Sequence, residues 1–154
     1  MVTTVRYYFR QAFRLPAKEA FDWCTDFSPQ DPLLKGSINI TRAVTKVSEG
    51  SIMLTDTTHT DAGAVKKQKI VQLYPDQFFW VATHLTGPNK YSQFLYQITP
   101  NEKDGSFLDF TALHLEYDSK EDTKTLAMRL CQEDSGAWKL LAKAMSEDPV
   151  KKSK

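Results

Sequence analysis

The sequence predicts an α+β fold: a seven-stranded curved antiparallel sheet gripping one long C-terminal helix, with one or two short helices after the first strand. Three observations predict it. Turn signals recur about every 12 to 16 residues between positions 36 and 117. The segments between them are rich in Thr, Val, Ile, Phe and Tyr, which suit a pleated, half-buried surface. A stretch of about 25 good helix formers with a single apolar face then closes the chain.

The elements follow in order. In segment 3–13, Val5, Tyr7, Phe9 and Gln11 fall on one face of a strand. Pro16 suits the first turn of a helix, where its missing N–H is not needed. Ala20, Phe21, Cys24 and Phe27 give that helix its apolar stripe, and Ser28-Pro29-Gln30-Asp31-Pro32 reads as a loop. Glu49-Gly50, Asp61-Ala62-Gly63, Pro75-Asp76, Gly87-Pro88-Asn89 and Lys103-Asp104-Gly105 then punctuate the chain. Gly, Asn and Asp supply the positive φ of tight hairpins, and Pro ends pairing by removing a donor. Strands are expected over 38–47, 52–60, 65–73, 77–85, 90–99 and 106–117. The gaps are too short for crossover helices, so consecutive strands should be antiparallel neighbours. Ser119 with Asp122 three residues on reads as a capping arrangement. Ala127, Cys131, Asp134, Trp138, Leu141 and Met145 follow at helical spacing, and Leu130 and Ala137 widen the stripe.

Composition excludes several function classes. A chain of 154 residues fits one domain, here 1–148, with a basic tail over 149–154. A net charge of +1 gives no bulk attraction to nucleic acid, and the Lys66, Lys67, Lys69 cluster has no aromatic stacking platform interleaved with it. No apolar run approaches the roughly 20 residues that span a bilayer, so stable membrane insertion is not expected. No secretory-type segment is seen at the start, which points to a cytoplasmic location with Cys24 and Cys131 as reduced thiols. Glycine-rich phosphate loops, G-x-S-x-G and H-E-x-x-H are all missing. His59, His84 and His114 are widely spaced on different strands. No metal or cofactor is called for.

The candidate site rests on the aromatics. Phe79, Val81 and Thr83 share one face of their strand, while Trp80, Ala82 and His84 share the other. Phe94, Tyr96 and Ile98 share a face, as do Leu113, Leu115 and Tyr117. These side chains read either as core beneath the helix or as the walls of a hydrophobic cavity with tyrosine hydroxyls as polar anchors. Asp134 lies on the apolar stripe, where an unpaired carboxylate is expensive to bury. It must pair, meet water in a cavity, or reach the surface. The ligand-binding candidates are Phe79, Val81, Phe94, Tyr96, Leu113, Leu115, Tyr117, Cys131, Asp134 and Trp138, with Trp138 on the inward face of the helix. Over 106–117 neither parity is clean, since Asp109 and Thr111 accompany Leu113 while Phe110 and Ala112 accompany His114. Two mixed faces would suit a strand buried on both sides, as in a homodimer.

The run Phe13-Arg14-Leu15-Pro16-Ala17-Lys18-Glu19-Ala20-Phe21-Asp22-Trp23, closing with Thr25-Asp26-Phe27, resembles the opening strand-to-helix signature of SRPBCC proteins. These form the START-like, helix-grip superfamily, which includes birch-pollen-allergen-like proteins and the polyketide cyclase/dehydrase group. Leu73-Tyr74-Pro75, Thr86-Gly87-Pro88, Tyr96-Gln97-Ile98-Thr99-Pro100 and Asp104-Gly105-Ser106 fall where that family has its hairpins. Ala137-Trp138-Lys139-Leu140-Leu141-Ala142-Lys143-Ala144 is similar to its C-terminal helix. The resemblance implies a cavity for a hydrophobic ligand such as a lipid, sterol or polyketide, and no universal catalytic residue. It leads to a carrier or sensor of a hydrophobic or amphiphilic small molecule. An alternative is a cyclase/dehydrase-like enzyme, with Asp134, Tyr96 and Tyr117 as acid–base candidates. A second alternative is a chaperone-assisting interaction module, which needs an exposed apolar patch near Trp80 and His84. The iron-ligand set of the ring-hydroxylating members, two histidines and a carboxylate, has no counterpart at workable spacing.

Overall fold

The computed structural model describes residues 1–34 and 38–150; of the expected basic tail, 151–154 lie outside the described residues. The chain runs β1 (Val2–Phe13), α1 (Ala17–Thr25), α2 (Asp31–Leu34), β2 (Ile40–Ser48), β3 (Ser51–Thr60), β4 (Gly63–Tyr74), a 3-10 turn (Pro75–Gln77), β5 (Phe79–His84), β6 (Gln93–Pro100), β7 (Ser106–Tyr117) and α3 (Thr123–Glu147). The seven strands form one antiparallel sheet in the order β1-β7-β6-β5-β4-β3-β2. Residues β2 to β7 are the expected meander, and β1 closes against β7.

Directly opposed residues share a face of a sheet, so the register identifies the inner side. One rung runs Ile52, Val71, Ala82, Phe94, Ala112, Tyr7. The next runs Leu73, Trp80, Tyr96, Phe110, Phe9. In β7 the buried side chains are Ser106, Leu108, Phe110, Ala112 and His114, which resolves the parity of that strand within one chain. Leu113, Leu115 and Tyr117 therefore lie on the outer face. In β5, Trp80 and Ala82 are buried, so Phe79 and Val81 also point outward.

α3 lies along β1 and presents buried Leu126, Leu130, Leu141 and Met145 to the sheet. Its cap differs from the expected one. Asp122, rather than Ser119, caps the helix: its Oδ1 accepts from the Thr125 amide at 2.9 Å and its Oδ2 from Thr125 Oγ1 at 2.7 Å. A carboxylate that satisfies an orphan N–H of the first turn also lies favourably in the helix dipole. Ser119 Oγ instead accepts from the Glu121 amide just upstream.

Two further departures are local. The expected loop at Ser28–Pro32 runs into the one-turn helix α2, because Asp31 Oδ2 accepts from the Ser28 amide and Ser28 Oγ from the Gln30 amide. β5 begins late, after the 3-10 turn and Phe78, whose φ of 51° is left-handed. At the β6–β7 hairpin a Cβ on Gly105 would lie 2.7 Å from the Phe13 carbonyl oxygen. Only glycine allows that hairpin to close against the end of β1. No helix among the described residues is long and apolar enough to cross a membrane.

Candidate functional site

The inner face and the helices leave a pocket of about 160 Å³ between α1, α2, the C-terminal half of α3 and strands β2 to β6. Its aromatic wall is built from the sheet outward. Trp80 and Tyr96 stand opposite each other on β5 and β6 and stack, with ring centroids 4.7 Å apart and planes 3° from parallel. Trp138 comes down from α3 to lie 5.8 Å from Tyr96 and 6.1 Å from Phe13. Phe21 of α1 meets the edge of Trp80 at 5.8 Å. Such offset and edge-on ring pairs add to the stabilisation from burial alone. Trp23, Cys24, Phe27, Pro32, Leu34, Ile40 and Leu141 complete the apolar lining. Trp23 is anchored by donating Nε1–H to the Asp148 carbonyl at 2.9 Å, which ties α1 to the end of α3.

The opposite wall is charged. Arg42 on β2 holds Asp56 on β3 in a bidentate pair, Nε to Oδ1 at 2.7 Å and Nη2 to Oδ2 at 2.9 Å. Their positions are opposed in register, which makes this pair a rung of the sheet. Arg42 Nη1 lies 4.0 Å from Asp31 Oδ2 on α2, and the Arg42 side chain is only 9 % exposed. Lys69 also lines the pocket. Two cations thus face two carboxylates beside an aromatic wall. Burial pushes the Tyr96 hydroxyl well above the usual phenol range, with the Asp134 charge adding to it. Tyr96 is therefore a neutral hydroxyl at the pocket wall.

Of the ten ligand-binding candidates, Tyr96 and Trp138 line this pocket. Phe94 is buried on the inner face, edge-on to His84 at 5.1 Å and tilted against Phe110 at 5.8 Å, outside the lining. Cys131 and Asp134 face β1: Cys131 Sγ lies 3.7 Å from the Tyr8 carbonyl oxygen, and Tyr7 donates to Asp134 at 2.5 Å. That hydrogen bond explains how a carboxylate sits on the apolar stripe. Burial, then the bond to Asp134, raises the Tyr7 hydroxyl far above its ordinary range.

Phe79, Val81, Leu113, Leu115 and Tyr117 do not reach the pocket, because they occupy the outer parity of β5 and β7. Phe79 pairs there with Tyr74 at 5.6 Å, and the Tyr117 hydroxyl donates to the Lys90 carbonyl at 3.0 Å. Sequence reasoning missed Arg42, Asp56, Asp31 and Lys69. One signal was available: Asp56 shares strand parity with Ile52 and Leu54, an acid in an apolar register of the same kind that drew attention to Asp134.

No protein-family model and no curated protein matches the sequence. Solved structures do match in three dimensions. A START superfamily protein from Mycobacterium smegmatis superposes with a TM-score of 0.72 at 12% identity, covering 92% of this chain and 97% of that one. The Zhui aromatase/cyclase from Streptomyces sp. R1128 gives 0.69 at 11% identity, with 99% and 98% covered. Norcoclaurine synthase from Thalictrum flavum, solved in complex with dopamine and hydroxybenzaldehyde, gives 0.69 at 12% identity, with 99% and 91% covered. Likeness at this identity is likeness of fold, and it agrees with the strand order and the long helix: the chain shares the helix-grip architecture of these structures.

Proposed function

We propose that the protein binds a small hydrophobic or amphiphilic molecule in the pocket walled by Trp80, Tyr96 and Trp138, as a carrier or sensor. The observation that carries this reading is the pocket itself, with three large aromatic side chains at one wall and half-buried charges at the other. Convergent apolar surface with a few fixed polar groups is the usual make-up of a small-molecule site. Native mass spectrometry of protein purified gently from its own cells tests it, through the mass of any retained ligand. Titration of delipidated protein with an apolar fluorophore, read by quenching of tryptophan emission, is the second arm. Retention of no small molecule, together with no quenching by any apolar probe, would overturn the reading.

The enzyme alternative has less to draw on. Acid–base chemistry needs a proton-transferring group within reach of the substrate, and of Asp134, Tyr96 and Tyr117 only Tyr96 lines the pocket. The interaction-module alternative needs an exposed apolar patch, and Trp80, at 3% exposure, contributes nothing to one.

A further inference from the structure

We infer that the ligand is a single-ring aromatic carboxylate, its ring lying against Tyr96 and Trp138 and its carboxylate accepting hydrogen bonds from Nη1 of Arg42. This rests on the reading that the pocket is a ligand site, and it names the ligand's class.

Three observations converge. The first is size. The pocket measures about 160 Å³, and a cavity of roughly 150 Å³ is enough to take up benzene. One ring with a short polar arm fits it, whereas a sterol or a multi-ring polyketide requires several times that space. The second is the aromatic wall, where Tyr96 and Trp138 lie at 55° to one another. That angle presents a face and an edge to a planar guest.

The third observation is the state of the polar groups. Both oxygens of Asp56 accept from Arg42, and Asp31 Oδ2 already accepts from the Ser28 amide. The carboxylates of the wall are thus engaged by the protein's own donors. Arg42 is different. Its Nε and Nη2 are used, but Nη1 has no acceptor among the described residues within hydrogen-bond distance, Asp31 being 4.0 Å away. The Arg42 side chain is only 9 % exposed, yet Nη1 is not among the enclosed atoms that lack a partner; it is the donor that Arg42 leaves open to solvent at the pocket. The group that completes it is an acceptor. An oxyanion does so best, because charge-assisted bonds to arginine are the stronger kind. A cationic ligand would instead meet an exposed N–H of Arg42 and carboxylate oxygens already in use.

The test is a matched set on the wild-type protein, measured by calorimetry and tryptophan quenching: phenylacetate, phenylacetamide and phenethylamine, with pyrene-1-carboxylate as the oversized acid. Phenylacetate is expected to bind at least tenfold more tightly than the amide and the amine, and more tightly than the pyrene acid. Arg42→Gln is expected to remove the advantage of acid over amide while leaving amide binding within a few-fold. If that variant does not fold, the wild-type ratio of acid to amide decides alone. Equal binding of acid and amide, or tighter binding of the amine, overturns the carboxylate assignment and leaves the pocket standing as a ligand site. Tightest binding by the pyrene acid overturns the single-ring assignment. If neither these compounds nor any apolar fluorophore binds, the ligand-site reading falls and takes this inference with it.

Discussion

The two flanks of the sheet belong to one antiparallel array yet behave differently. On β1, β6 and β7 the inner side chains are buried, with Val5, Phe13, Ile98, Leu108, Phe110 and Ala112 all at 4% exposure or less. On β2 almost every residue is exposed, and the first half of β4 is exposed as well. The cause lies in the inward parity of each flank. β7 offers Leu108, Phe110 and Ala112 to the helix, whereas β2 and β4 offer Arg42, Lys46, Lys67 and Lys69. α3 lies over β1 because apolar surface is there to be covered. The pocket forms at the seam where that cover ends, and this is why an aromatic wall and a charged wall meet in it.

Substitutions at inward-facing positions of the two flanks measure the contrast. Phe110→Ala removes a ring packed on Phe9, Tyr96 and Phe94 and should destabilise by about 3–5 kcal/mol. Its counterpart on the exposed flank, Val44→Ala, should change stability by less than about 0.5 kcal/mol; urea unfolding of both variants gives the ratio. A large effect at Val44 would show that the flank is covered in solution. At the seam, Asp56→Ala leaves the half-buried Arg42 guanidinium with only Asp31, 4.0 Å away, and should destabilise by about 1–3 kcal/mol. Replacing both residues by apolar ones, as Arg42→Met with Asp56→Leu, should recover most of that loss in the same assay.

His84 sits where the buried flank meets the lysines of β4. Burial, then the charge of Lys69, pushes its imidazole down to about 4, with Lys67 and His114 acting in the same direction. The folded state therefore holds His84 neutral at pH values where the unfolded chain protonates it. Stability is fully present above about pH 6.5, falls with pH through the window from 6.5 to 4, and loses about 3 kcal/mol there. His84→Gln should flatten that part of the profile of melting temperature against pH. An unchanged slope would assign the acid lability to other groups.

Trp138→Ala should have a smaller effect on stability than the ~3–5 kcal/mol of a fully packed aromatic, because Trp138 is only half-buried and borders the pocket. Its main defect should be in binding of the pocket's ligand. Equal loss of stability and retained binding would make it core alone.

The sheet and the long helix were legible in the sequence because both are periodic. Gly, Asn, Asp and Pro marked each hairpin, and the stripe through Leu141 and Met145 gave the helix its phase. The faces of β5 and β7 were not legible. Each carries large apolar residues on both parities, such as Phe79 beside Trp80 and Leu113 against Phe110, so alternation could not say which side was inside. The neighbours decided: Trp80 and Phe110 fit between Phe21, Tyr96 and Phe9, contacts that no local pattern encodes. The charged wall was missed for a related reason. Arg42 and Asp56 are 14 residues apart and read as ordinary surface charges until the β2–β3 register sets them opposite one another.

The pairing of β1 with β7 has a consequence for how the protein is made. Tyr8 and Asp109, joined across these two strands, are 101 residues apart in the chain. During synthesis β1 leaves the ribosome before β7, its hydrogen-bonding neighbour among the described residues, has been translated, while the β2–β6 hairpins can pair as they emerge. Valine, tyrosine and phenylalanine on its inner face stay uncovered until β7 and then α3 arrive. Pairing of β1 with β7 is thus a late, long-range event of the kind that slows folding, and the apolar face of nascent β1 is open to other partners while it waits.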